Sequence, residues 1–325
     1  MRFDFNDASK TVLVITDLEA DDYFAIMQLM TTTKCNVIFI VNSWTNPDEK
    51  ARILIAILSK MTLTVIWSVF VGLPTCLTYD TDALKKSLGI DTGAVITMKY
   101  SDKLFEHADL IISLSPPMEL AAAVVKNSSM FGNKKLAIYG GFNLRFALSN
   151  GLIRAEHMHK MMTCFDQCLC YEKMFVGPSD DAIVDTLLLE KIFVLYPVLR
   201  SIALWWNKEI MKEFERESDR VTQTFTERII MNIMRQPLQI VDADCALMSY
   251  LLNGNKYMTQ IPIKITFSLA GLVIYDNIES SNITIVNNYP DKDTHSTLQR
   301  YRFYEEEHKK AGEFRDMTRV GVFYQ

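Results

Sequence analysis

Short apolar runs alternate along the first half of the chain with segments whose apolar residues recur at helical spacing. Runs at 12–15, 37–41, 63–71, 110–114 and 135–139 predict strands, and the patterns at 48–60 and 118–126 predict helices between them. Such alternation predicts an α/β fold: an open, mainly parallel, Rossmann-like sheet flanked by crossover helices. From about 145 to 240 the pattern is long and mainly helical, which predicts a helical insertion beside or above the sheet. Strand character returns at 261–267, 273–275 and 282–286, with turn signals at Asn253-Gly254-Asn255 and Gly271, so a C-terminal β-hairpin closes the sheet. The segment 291–325 reads as a polar tail, with 301–315 as an exposed helix. We expect one domain over 1–325 rather than two, since single α/β domains of this length bury a large core.

The first run is the most informative. Val12-Leu13-Val14-Ile15 leads through Thr16 into Asp17, Glu19, Asp21 and Asp22, four acids within six positions. Helical spacing resumes at Tyr23, so Asp21 and Asp22 fall in the first turn of a helix, where the dipole favours acids. That placement accounts for these two without any ligand. Asp17 is different, because it stands at the carboxyl end of a strand, where open α/β sheets bind ligands. Four carboxylates in one loop repel each other unless raised pKa values or a cation relieve them, and a hard cation such as Ca²⁺ or Mg²⁺ is the natural partner.

Composition narrows the class. Hydrophobic residues make up 49% of the 325 and charged residues 22%, a globular balance, and the formal net charge of −5 provides no basic footprint for nucleic acid. The N-terminus lacks the apolar core of a signal peptide and the apolar stretches are too short to span a bilayer, so the expectation is a soluble, cytoplasmic protein with no membrane partner. Six cysteines in 325 residues, Cys35, Cys76, Cys164, Cys168, Cys170 and Cys245, do not suggest a disulfide scaffold and fit a reducing compartment.

The acidic segment Asp17-Leu18-Glu19-Ala20-Asp21-Asp22 resembles the Asp-x-x-x-Asp-Asp signature of the inosine-uridine preferring nucleoside hydrolase family, with Ile15 in place of a preceding Asp and Glu19 in place of a Gly. Further segments follow in the family's order. Thr45-Asn46-Pro47 resembles its Gly-Asn loop. Leu114-Ser115-Pro116-Pro117-Met118-Glu119-Leu120-Ala121 resembles its Gly-Pro-Leu-Thr-Asn-Leu-Ala segment. Ile138-Tyr139-Gly140-Gly141 resembles its Met-Gly-Gly turn, and Asn150 and Ala155-Glu156-His157-Met158 resemble its Asn and Ala-Glu-Phe-Asn motif, about three residues further from the turn. Val241-Asp242-Ala243-Asp244-Cys245-Ala246 resembles its His-Asp-Pro helix start in two registers: with Val241 at the His position Asp242 is the metal-binding Asp, and with Cys245-Ala246 fixing the register Ala243 replaces that ligand and Asp242 the His, so neither leaves a histidine at the leaving-group position. The likeness covers about 10 to 290 and fades between 157 and 240.

The resemblance implies a divergent member that hydrolyses the N-glycosidic bond of ribonucleosides to ribose and free base, as in purine and pyrimidine salvage. It implies Ca²⁺ held by Asp17, Asp22, the Leu114 carbonyl and Asp242 (or Asp244), with Asp17 as general base. Asp21 and Asn46 would bind the ribose hydroxyls, Tyr139 would approach the sugar, and Asn150 and Glu156 would face its 5′ end. A homodimer or homotetramer is implied as well. With no histidine, base departure needs Tyr139, a protonated Asp242, or a leaving group that is already charged.

Three other readings stand beside this one. A degenerate member would keep the fold and bind a nucleoside or a protein without catalysis, given Ile15, Glu19, Met158 and the altered 241–244 segment. A haloacid-dehalogenase-like phosphatase also begins with a strand ending in Asp-x-Asp, here Asp17 and Glu19, but leaves Asp21-Asp22 without a purpose. Zinc bound by His157, His159, Cys164, Cys168 and Cys170 matches no usual spacing, and cysteines on a helical segment read more simply as core.

Overall fold

The computed structural model describes residues 1–18, 20–43, 46–61, 63–74, 85–86, 89–139, 155–171, 243–253, 259–267, 273–276 and 281–287. Among the described residues ten strands form one sheet: β1 (Thr11–Thr16), β2 (Asn36–Val41), β3 (Trp67–Val71), β4 (Met98–Lys99), β5 (Leu110–Ser113), β6 (Lys135–Tyr139), β7 (Gln167–Tyr171), β8 (Thr259–Phe267), β9 (Val273–Asp276) and β10 (Ile283–Asn287). Their order is β4-β3-β2-β1-β5-β6-β7-β10-β8-β9. From β4 to β10 every neighbouring pair is parallel, and β8 and β9 join antiparallel. The α/β class, the parallel sheet and the closing hairpin are as the sequence predicts.

Helices α1 (Ala20–Thr32), α2 (Pro47–Ser59), α3 (Leu104–His107), α4 (Met118–Lys126), α5 (Ala155–Thr163) and α6 (Ala243–Asn253) cover the sheet. Alternation along β1 explains how. Val12 and Val14 face a core with Phe24, Ile26, Leu54, Ile57 and Leu247 from α1, α2 and α6. Leu13 and Ile15 face the other core, with Leu120, Val124, Met161 and Met162 from α4 and α5. A strand buried on both faces has no polar alternation, which is why β1 reads as an uninterrupted apolar run.

Two strands differ from the sequence reading. Residues 167–171 lie in the stretch whose pattern predicts helix, yet Gln167-Cys168-Leu169-Cys170-Tyr171 pairs in register with β6 on one side and β10 on the other. Cysteines at alternate positions pack on one face of a strand as readily as they fit a helix, and five residues carry too little periodicity to separate the two. The two-residue edge strand β4 lies at the end of the short run Ala94-Val95-Ile96-Thr97-Met98, and only two of its residues pair with β3. The helical expectations for 172–240 and for the tail lie outside the described residues. Among the described residues no helix is long and apolar enough to cross a membrane.

Candidate functional site at the carboxyl ends of the central strands

The chain runs outward from β1 through β2, β3 and β4, then returns to β1's other side as β5. The order therefore reverses between β1 and β5, and the carboxyl ends of these strands flank the crevice where such sheets bind ligands.

At the end of β1 the backbone is held in an unusual turn. Thr16 is fully buried, its Oγ1 donates to Asp22 Oδ1 at 2.5 Å, and the same oxygen accepts the Leu18 N–H at 3.1 Å. Leu18 has φ +54°, a left-handed conformation that costs a side chain roughly 1–2 kcal/mol. Burial of Leu18 at 2% exposure in the core around α1 and α2 offsets that cost. Asp22, fully buried, stands in the first turn of α1. Burial raises the pKa of the adjacent Tyr23 hydroxyl, and the charge of Asp22 adds to the rise. Asp17, between Thr16 and Leu18, is half-buried.

The turn is also bound from the side by a lysine. Lys50, on the first turns of α2, is 1% exposed and its Nζ donates to the Asp17 carbonyl oxygen at 2.5 Å. Asn46, immediately before α2, is exposed and left-handed at φ 59°, ψ 51°, a conformation asparagine tolerates well.

A second buried polar group lies across the ends of β2, β3 and β5. Asn42 follows β2 and donates through Nδ2 to the Pro116 carbonyl at 3.0 Å and to Glu119 Oε2 at 3.1 Å, while its Oδ1 accepts the Ser115 hydroxyl at 2.8 Å. Glu119 Oε1 accepts the Leu73 N–H at 2.5 Å, and Ser113 Oγ donates to the Ser115 carbonyl at 2.6 Å. Burial pushes the Glu119 carboxyl above its ordinary range, against the pull of the Leu73 and Asn42 donors. A Cβ on Gly72 would collide with Glu119 Oε1 and lie 2.8 Å from Ile40, so the close approach of β3 to α4 requires glycine.

The other predicted residues fall as follows. Leu114 follows β5, and its N–H donates to the Ile15 carbonyl at 2.9 Å, which sets its backbone beside the end of β1, the strand that Asp17 follows. Asp244 is buried in the first turn of α6, which packs along α1. Tyr139 ends β6, half-buried, and stacks on Tyr171 at 6.3 Å between centroids; Tyr171 in turn meets Tyr250 of α6 at 6.2 Å. Asp21 lies in α1 and Glu156 in the first turn of α5 by their backbones. Asn150, Asp242 and the 140–141 turn lie outside the described residues.

Sequence reading passed over Lys50, Thr16, Asn42, Ser115 and Glu119. Lys50 carried a signal, since it shares the apolar face of α2 with Leu54 and Ile57, where a lysine has no reason to be unless its amine has a destination. Glu119, followed by the apolar run Leu120-Ala121-Ala122-Ala123-Val124-Val125, carried the same signal.

The donor set bears directly on the implied ion. Asp22 Oδ1 is engaged by Thr16, and a buried ammonium already sits on the Asp17 turn, so a divalent ion added there would meet the Lys50 charge away from solvent. These residues do not fit Ca²⁺ beside Lys50. Among the described residues no three His, Cys, Asp or Glu side chains are grouped to hold a metal ion. Cys168 and Cys170 are buried core residues of β7, their sulfurs 3.9 Å apart, and burial pushes the Cys164 thiol up to about 12.

This sheet order and hairpin define a doubly wound α/β protein, and its fold is similar to that of solved structures that include a nucleoside hydrolase. Two solved structures carry that likeness. The inosine-uridine preferring nucleoside hydrolase of Bacillus anthracis superposes with a TM-score of 0.53 at 10% identity, over 90% of this chain and 98% of that one. The effector protein XOO4466 superposes with a TM-score of 0.57, also at 10% identity, over 92% and 93%. At this identity the likeness is one of fold. No family model matches the sequence, and no curated protein matches it.

Proposed function

We propose that the chain binds a ribonucleoside in the crevice between β1 and β5 and hydrolyses its N-glycosidic bond, with Asp17 as the general base. The observation that carries this reading is the pairing of a locked, buried Asp22 with a half-buried Asp17 at the point where the strand order reverses. A rigid turn of this kind fixes a carboxylate in position, which is what proton abstraction from water requires. The water oxygen bonds to the anomeric carbon, its proton passes to Asp17, and the C–N bond breaks with its electron pair leaving on the base. Negative charge from the acidic turn favours the oxocarbenium character that the ribosyl ring gains. Asp21 and Asn46 are assigned to the ribose hydroxyls, Asn150 and Glu156 to the 5′ end, and Tyr139 to the sugar or the departing base.

Lys50 favours a second reading, a nucleoside-binding protein without turnover, because an ammonium lowers the pKa of a neighbouring water far less than a divalent ion does. Release of free base from a panel of ribonucleosides, nicotinamide riboside included, separates the two. Release lost in Asp17→Ala supports hydrolysis, whereas nucleoside binding without release supports the second reading. Phosphate release from phosphomonoesters with neither would overturn both in favour of a phosphatase.

A further inference from the structure

We infer that Lys50 is the resident cation of the acidic turn, a tethered ammonium that takes the place of a divalent ion and makes the site independent of metal. The sequence sets the problem: Asp17, Glu19, Asp21 and Asp22 fall within six positions and repel each other unless a cation or raised pKa values relieve them. The structure supplies it from α2. An ammonium at 1% exposure is stable only where its hydrogen bonds and charge are met, and Nζ lies 2.5 Å from the Asp17 carbonyl, inside the turn that Thr16 and Asp22 close.

The other charged groups of α2 make this commitment specific. Asp48 is bound by Arg52 Nε at 2.7 Å and by the Thr97 hydroxyl, and Glu49 pairs with Lys85 at 2.6 Å and accepts Thr92 Oγ1 at 2.7 Å. The acids beside Lys50 in sequence thus have cations and hydroxyls of their own, and the lysine reaches across to β1. Because the helix carries it, this charge is delivered whenever α2 is folded, at any Ca²⁺ concentration. Its hydrogen bond to a main-chain oxygen also holds the turn on which Asp17 stands, so Lys50 is a positioning residue for that carboxylate.

The test is Ca²⁺ and Mg²⁺ titration by calorimetry, with thermal melting in either ion and in chelator, on the full chain and on Lys50→Met. Wild type should give no binding heat and one melting temperature in all conditions. Lys50→Met removes the charge but keeps an unbranched side chain, so it should melt lower in chelator and regain roughly 5 °C in millimolar Ca²⁺. Lys50→Arg should remain indifferent to ions. If Lys50→Met does not fold in chelator, refolding in Ca²⁺ against refolding in chelator reads the same quantity. Micromolar Ca²⁺ binding by wild type, or a Lys50→Met chain that ignores Ca²⁺, would overturn the inference. Neither readout involves base release, so failure of the hydrolysis proposal leaves this one standing, and the reverse holds too.

Discussion

Two buried polar clusters lie side by side at the carboxyl ends of the central strands, and they neutralise their acids in opposite ways. Around Glu119 the acid is met by neutral donors, the Leu73 N–H and the Asn42 amide, and the cluster closes on itself through Ser115 and the Pro116 carbonyl. Around Asp22 the acid is met by the Thr16 hydroxyl, and an ammonium from another helix is brought into the same turn. Full burial raises Glu119's pKa against the pull of its neutral donors, and the arrangement suits a strut that ties three loops together. A turn balanced by a cation can keep a second carboxylate, Asp17, half-buried at the crevice. On the proposed function, the difference separates a structural acid, Glu119, from the acid assigned to the chemistry, Asp17, where the sequence shows only acids after strands.

The sharpest way to break this contrast is to remove each acid. Asp17→Ala should lower base release by about 10³-fold or more, the range expected of a general base, with little change in melting. Glu119→Ala should do the reverse in kind. It strands the Leu73 N–H and the Asn42 amide in a dry interior, at about 2–4 kcal/mol of stability by urea unfolding. If Glu119→Ala instead unfolds like wild type and loses only activity, the division between strut and chemistry fails.

A somewhat smaller loss is expected for Gly72→Ala, about 1–3 kcal/mol, because the new methyl must displace Glu119 and Ile40. An unchanged urea midpoint would show that β3 and α4 are not in contact there. The smallest effect is one of pH. Burial raises Glu119's pKa in the folded chain, so the folded state holds a proton that the unfolded state has released. That group's contribution is most favourable below the unfolded carboxyl pKa and declines as pH rises through the raised folded value. Glu119→Gln, which cannot ionise, should therefore gain on wild type as pH rises through the mildly acidic range. A difference in stability that stays constant with pH would place the glutamate's charge in water.

Much of the fold was written locally. The apolar runs that become β1, β2, β5 and β6 have two buried faces, and their lack of alternation is itself the mark of a parallel sheet with helices on both sides. β7 was not legible, since five residues with cysteines at alternate positions satisfy either period, and its strand identity depends on β6 and β10 on its flanks. The position of Asp17 and Asp22 at a strand end and a helix start was legible for the same local reason as the strands.

What the sequence alone determined, then, is the alternation of elements, the acidic turn after β1, and the electrostatic demand that four acids in one loop place on their surroundings. Which group meets that demand was decided only by tertiary structure. Lys50 lies 33 residues from Asp17 and Glu119 lies 46 from Leu73, and nothing in local spacing carries a contact across such distances. Parallel strands bring these residues together because crossover helices return the chain to the same end of the sheet each time, stacking residues remote in sequence at adjacent carboxyl ends.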